Sequence, residues 1–307
     1  FSFYGGPEVQ GLEREWSEYY GCKHSISVNS ATSGLYAAIG AIGVGYGDEV
    51  IVSPYTMTAC AMAPLLFGAI PVFSDVEKET GCMDVKSIER ALSDRTKAIL
   101  VVHQFGIPAD MDKIMDLAKQ HDLKVIEDCA QAHGAKYNNK YVGTFGAIGV
   151  FSLNVNKSIQ TGEGGICITD DEELAYRLAL IRNHGEAVVG PAKYKNVVNI
   201  FGFNFRLTEL QAAIAREQLK KINKLNDHRL DLVEAFSRGL DNHPFLHPLS
   251  GRLGCYSTYY VYPLRYEPGI AKAEREEFVA ALNAEGAQFY QGYVEPIYLQ
   301  PLYQQQS

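Results

Sequence analysis

"AILVVHQFGIPADMDKIMDLAKQHDLKVIED", Ala98 to Asp128, is the stretch on which the fold turns. Its two ends, "AILVVH" and "KVIED", are short runs rich in β-branched residues, as strands are. Between them "ADMDKIMDLAKQHD" spaces its apolar residues as one face of a helix does. The same alternation extends outward. "HSISV", "EVIVS" and "PVFSDV" read as strands. "PEVQGLEREWSEYYG", ending at Gly21, reads as a helix, as do "ATSGLYAAIGAIGVG", "TMTACAMAPLLFGA" and "DVKSIERALSD". Strand–helix alternation of this kind predicts an α/β layer fold with a mostly parallel central sheet flanked by helices. Past residue 170 the pattern changes. "DEELAYRLALIRNHG" is an amphipathic helix with an acidic start and a basic end, and a long helical stretch, broken once, covers "RLTELQ" to "LDNH". "YSTYYVYPLRY" alternates like a strand and "AKAEREEFVAALNAEG" is helical. The expected organisation is a large domain, residues 1–235, ending in a long interdomain helix, and a smaller α+β domain, residues 236–307.

The 307 residues are enough for a large core, and 47% of them are hydrophobic. With a net charge of −8 and no basic stripe, nucleic acid is not expected as a partner. No apolar run is long enough to span a bilayer, and no secretory leader is visible. The first residue is Phe1 rather than methionine, which suits an excerpt of a longer chain, incomplete at the C-terminal end as well. Six scattered cysteines without CxxC spacing suggest free thiols in a reducing cytoplasm. The eight histidines show no metal-ligand spacing, so no metal site is expected.

Several strands end in acid: Asp75 closes "VFSD" and Asp128 closes "VIED". In open α/β sheets ligands bind beyond the carboxyl ends of the strands. "NSATSGL", Asn29 to Leu35, sets small residues between a strand and a helix. Backbone N–H groups there, with the Thr32 and Ser33 hydroxyls, suit a phosphate. "FSLNVNK" places Ser152 and Lys157 five apart before the turn "TGEGG". A lysine, a carboxylate closing a buried strand and a phosphate cradle together suit pyridoxal phosphate. The amine forms a Schiff base, the carboxylate keeps the pyridine nitrogen protonated, and the helix end holds the phosphate.

The blocks "NSATSGL", "DEVIVSPYTMTA", "GAIPVFSDV", "HQFGIPADMD", "VIEDCAQAHGA", "FSLNVNKSIQTGEGG", "IRNHG" and "GFNFRLTELQAAI" follow one another in an order that resembles the DegT-type (DegT/DnrJ) sugar aminotransferases, pyridoxal-phosphate enzymes of fold type I, the aspartate aminotransferase fold. The resemblance runs in register from about residue 5 to residue 230 and more weakly to the end. It implies that Lys157 is the Schiff-base lysine and that Asp128 pairs with the pyridine nitrogen. It further implies that Gln131 approaches the ring hydroxyl, that Ser152, Thr32 and Ser33 bind the phosphate, and that Asn204 reaches the phosphate of the neighbouring subunit in a homodimer with shared active sites. Met57 stands where the family usually has an aromatic residue stacked on the coenzyme, and a thioether can also pack on a ring face. Ser30-Ala31-Thr32 replaces the usual Ser-Gly-Thr, "VNK" replaces Pro-Thr-Lys, and Tyr298 falls where many relatives have His.

The implied reaction is transamination in two halves, with pyridoxamine phosphate between them. Glutamate or glutamine is the expected donor, and a keto-sugar, nucleotide-linked, or a keto-cyclitol the acceptor. The setting implied is amino-sugar biosynthesis for an antibiotic or a polysaccharide. Two other readings are a coenzyme-dependent sugar dehydratase and a non-catalytic regulatory member. Dehydratase relatives carry His at the lysine position, so Lys157 speaks against the first, and the intact set of coenzyme residues against the second.

Overall fold

The computed structural model describes residues 5–185 and 200–305. Helix α1 (Pro7–Tyr20) starts with Pro at its first turn and stops where Gly21 turns left-handed at φ 70°. Its buried Val9, Leu12, Trp16 and Tyr20 repeat every three or four residues, which gives it one core face. Six further strands follow β1 (His24–Val28) into the central sheet: β2 (Glu49–Val52), β3 (Ile70–Phe73), β4 (Thr96–Val102), β5 (Lys124–Asp128), β8 (Ile148–Ser152) and β9 (Gly165–Thr169). Two short strands, β6 (Lys136–Tyr137) and β7 (Lys140–Tyr141), stand outside it. The sheet order is β1-β9-β8-β5-β4-β2-β3. Strands β8, β5, β4, β2 and β3 pair in parallel, whereas β9 runs against both β8 and β1.

Alternate residues along the central strands feed two cores. Ile99, Val101 and Val125 face one with α1, α5 (Met111–Gln120) and α7 (Glu209–Leu219). Ala98, Leu100, Val102 and Ile126 face the other with α2 (Ala31–Ala41), α3 (Ala59–Leu66) and α6 (Glu172–Arg182). Helix α4 (Val85–Ala91) lends Ile88 to the first. Because Gly34 has no side chain, α2 lies directly on the sheet; a Cβ there would come 2.8 Å from Val150.

The helical stretch after residue 206 is broken at Lys220–Lys221, between α7 and α8 (Ile222–Gly239). The boundary expected at residue 235 falls within α8. "YSTYYVYPLRY" departs from the single strand expected of it. Only Cys255–Tyr256 (β11) and Leu264–Tyr266 (β12) are strands, and they join different sheets: β11 pairs with β6, and β12 with β10 (Leu246–Pro248). Between them Tyr259 takes φ 45°, and the Thr258 and Tyr260 N–H groups bond to the Gly106 and Phe105 carbonyls. The alternating tyrosines thus serve a turn that docks on the loop following β4. Two short helices, α9 (Pro268–Ala271) and α11 (Pro301–Gln304), flank α10 (Arg275–Ala284).

Candidate active site

Strands β1, β5 and β8 run the same way, so their carboxyl ends gather on one edge of the sheet. From the end of β1 the chain enters α2 through Ser30, whose side chain accepts the Ser33 N–H at 3.0 Å. The Gly34 N–H bonds to the Ser30 carbonyl. The first N–H groups of a helix have no partner inside it, and those of Ala31 and Thr32 stay free for a ligand among the described residues. Thr32 is exposed. Ser33 is buried, and its hydroxyl lies 3.0 Å from that of Ser30.

Strand β9 passes close to this cap because residue 165 is glycine. A Cβ at Gly165 would stand 2.6 Å from the Ser30 carbonyl carbon and 2.7 Å from the Ala31 nitrogen. The "TGEGG" turn therefore brings the β8–β9 hairpin against the start of α2, and that hairpin carries the lysine. Its rungs run from Leu153 N–H to Gly164 O, from Val155 N–H to Gly162 O and from Thr161 N–H to Leu153 O. The Asn154 side chain donates to Glu163 Oε1 at 2.9 Å, and the Asn154 backbone carbonyl accepts the Lys157 N–H. Buried Ser152, at the end of β8, accepts the Asn154 N–H through its hydroxyl.

The Lys157 ammonium lies over the Tyr260 ring, 4.4 Å from its centroid. Burial pulls its pKa below the ordinary lysine range, and the Asp128 carboxylate works against that pull. Charge on Lys157 is in turn felt at His133. Burial, with Lys157 as the next cause, pushes that imidazole down to about 3, so it stays neutral.

The two strand-end acids differ. Asp75 is exposed and accepts the N–H of the next residue. Asp128 is only 6% exposed. Its Oδ1 accepts the Ala130 N–H at 2.9 Å, and its Oδ2 lies 3.2 Å from the Cys60 sulfur, a donor thiol on α3. Glu127, one residue earlier, belongs to the opposite face of the strand. It takes N–H groups from Gly143, Phe145 and Gly146 and the ring of His103, and so latches loops together away from the site.

Gln131 is buried; its Oε1 accepts the Phe105 N–H at 2.7 Å, and its Nε2 donates to the Tyr293 hydroxyl at 2.6 Å. The Tyr293 ring packs edge-on against Phe105 and Tyr55. Met57 is half exposed, just before α3. Asn204 is exposed, while its backbone pairs with Asn183 and its carbonyl accepts from Asn29 beside the cradle. Lys157, Asp128, Ser152, Gln131 and the start of α2 thus belong to one region. Asn204 lies at its edge through its backbone bond to Asn29, with its side chain exposed. Cys60, Tyr260 and Tyr293 went unread in the sequence, because nothing in local spacing links them to residues 68 to 162 positions away.

Pyridoxal phosphate fits this arrangement on three counts. The α2 cap leaves two N–H donors free, glycine at 165 keeps their surroundings tight, and a desolvated amine shares its field with a buried carboxylate.

A family model described as the DegT/DnrJ/EryC1/StrS aminotransferase family matches residues 2–307. The chain is 34% identical over 299 residues to the dTDP-3-amino-3,4,6-trideoxy-alpha-D-glucose transaminase of Streptomyces venezuelae, covering 97% of this chain and 78% of that protein. It is 36% identical over 297 residues to the L-glutamine:2-deoxy-scyllo-inosose aminotransferase of Micromonospora echinospora, covering 92% and 71%. The solved structure of S. venezuelae DesV superposes with a TM-score of 0.88 at 34% identity, over 97% of this chain and 78% of that one.

Proposed function

Because the chain belongs to the DegT/DnrJ/EryC1/StrS aminotransferase family, whose aminotransferases depend on pyridoxal phosphate, we propose that it moves an amino group from glutamate or glutamine to a keto-sugar, nucleotide-linked, or to a keto-cyclitol. The observation that carries the reading is geometric: Lys157, on the β8–β9 hairpin with its ammonium over the Tyr260 ring, buried Asp128 at the end of β5 and the open cap of α2 lie at one edge of the sheet.

In this reading the Ala31 and Thr32 N–H groups, with the Thr32, Ser33 and Ser152 hydroxyls, hold the phosphate. Asp128 would serve the ring nitrogen, Gln131 the ring hydroxyl and Met57 the ring, and Lys157 would supply the amine for the aldehyde. Bound there, the coenzyme supplies an electron sink that lets a proton leave the carbon bearing the amine. Lys157 moves that proton. Burial lowers its affinity for a proton, so a neutral amine is available as base nearer neutral pH than on an exposed lysine. In the second half-reaction the same amine delivers a proton to the carbon that was the ketone. Tyr55, Phe105 and Tyr293 form an aromatic wall that limits water at this edge.

The names of the two relatives, one a nucleotide-sugar transaminase and the other a cyclitol aminotransferase using glutamine, support both acceptor classes. The proposal includes a homodimer with Asn204 serving the partner's phosphate. Exposed Phe201, Leu210 and Ile214 near Asn204 supply apolar surface for such a contact. It also includes a coenzyme-binding part, residues 1–235, and a smaller part, 236–307, which lends Tyr260 and Tyr293. A cytoplasmic setting, and a place in antibiotic or polysaccharide biosynthesis, complete it. All six cysteines are free, as a reducing compartment keeps them, and no helix among the described residues is long and apolar enough to cross a membrane.

The test is spectroscopic. Purified protein loaded with pyridoxal phosphate is expected to show a visible absorbance band that bleaches on adding glutamate or glutamine and returns with the correct ketone. Lys157→Ala should abolish turnover; continued transamination by that variant with external donor would remove Lys157 from its role.

A further inference from the structure

We propose that the Cys60 thiol is a positioning residue for Asp128, fixing the plane of the carboxylate that faces the coenzyme ring; the inference rests on the reading of the site given above. Cys60 is the second residue of α3 and is fully buried. Its sulfur stands 3.2 Å from Asp128 Oδ2, across 68 residues of sequence. The other oxygen, Oδ1, takes the Ala130 N–H at 2.9 Å. Among the described residues these are the two donors on that carboxylate, one for each oxygen. An ionised carboxylate has about four lone-pair sites, so both oxygens keep capacity for a further donor.

The direction of the Cys60 contact is settled by chemistry. Burial, helped by the negative charge of Asp128, pushes the thiol pKa well up, so the sulfur keeps its proton and donates. The Thr56 hydroxyl lies 4.0 Å from the same sulfur and can supply a donor behind it. A backbone N–H on one oxygen alone leaves the carboxylate free to pivot about that bond. A second donor on the other oxygen, carried by a rigid helix, removes the pivot. The geometry asked of Asp128 is directional, because a ring N–H needs a lone pair in its own plane. Cys60 acts on the coenzyme through Asp128 only.

Cys60→Ala removes the donor, and Cys60→Ser keeps one at nearly the same place and volume. The primary readout is the rate at which pyridoxal phosphate leaves the loaded protein during dilution into a coenzyme trap, followed by the visible band, and the second is the pH titration of that band. Cys60→Ala is expected to lose coenzyme roughly tenfold faster and to shift the titration, as removal of a hydrogen bond to a charged group does. Cys60→Ser is expected to stay within about threefold of the parent, and its recovery serves as the control for folding. The inference is overturned if Cys60→Ala holds coenzyme as the parent does, or if both variants lose it alike, which would make the sulfur a packing group. Asp128→Ala separates the two levels. If it too retains coenzyme and band unchanged, the reading of the site itself fails; if it loses them while Cys60→Ala does not, only the positioning role is lost.

Discussion

Position 157 shows how burial decides what a side chain can do. An exposed lysine is an ammonium at neutral pH, and proton abstraction asks for the amine. Desolvation pulls Lys157 toward the amine while the Asp128 charge pulls it back, and burial is the larger effect. The folded group thus holds its proton less tightly than the unfolded one. The penalty on folding is full below the folded pKa and is relieved as pH rises from there to the ordinary lysine value, so this group makes stability rise with pH within that window. In coenzyme-free protein, Lys157 should react with an amine-directed reagent at lower pH than exposed Lys23, read by peptide mass mapping across a pH series. Asp128→Asn should move that profile lower still, since the opposing charge is gone. Equal profiles for Lys157 and Lys23 would contradict the burial argument.

At the scale of elements, the hairpin β8–β9 and the start of α2 make one unit. Ser30 caps the helix and Gly165 lets the returning strand touch the cap. Gly165→Ala would set a methyl within 2.6 Å of backbone that cannot step aside. It should destabilise the protein by about 1–3 kcal/mol, as overpacking does. It should also weaken coenzyme retention, because the hairpin and the cap would be forced apart. A thermal melt and a coenzyme-release assay check the two effects; an unchanged melting temperature would show that β9 can move away without cost. Both strands of this hairpin escaped the sequence reading. "AIGVFS" and "GGICIT" carry the glycines that close approach requires, and glycine blurs the strand signal. At Gly149 a Cβ would collide with the Gly143 carbonyl at 2.3 Å.

For the whole molecule, the question is how far one chain completes its own site. Asn204 is exposed although its backbone is pinned by Asn183. A side chain so placed can serve a second copy. If it does, Lys157→Ala and Asn204→Ala proteins, each poorly active alone, should complement when co-expressed. Half of randomly assembled dimers would be mixed, and each of those would hold one intact site, restoring roughly a quarter of the parent activity. Sedimentation should show the dimer in the same preparation. No recovery in mixed dimers would place Asn204 in its own chain's site or in none. The aromatic wall also belongs to this scale, because Tyr293 reaches Gln131 across 162 residues.

By itself the sequence determined the α/β alternation, the strand that ends in Asp128, the capped start of α2 and the place of Lys157. Each is written in neighbouring residues, through periodicity, a cap or a glycine turn, and the ordered blocks tied them to one family. The ordered blocks pointed to Asp128 rather than Asp75; only the tertiary structure showed that the first is buried and the second exposed, because burial depends on what packs over a strand's end. It alone set Glu127 on the far face as a latch, broke the tyrosine-rich stretch into a docking turn, and brought Cys60, Tyr260 and Tyr293 against Asp128, Lys157 and Gln131. Contacts across the sheet depend on register and crossover, and no local pattern of residues encodes those.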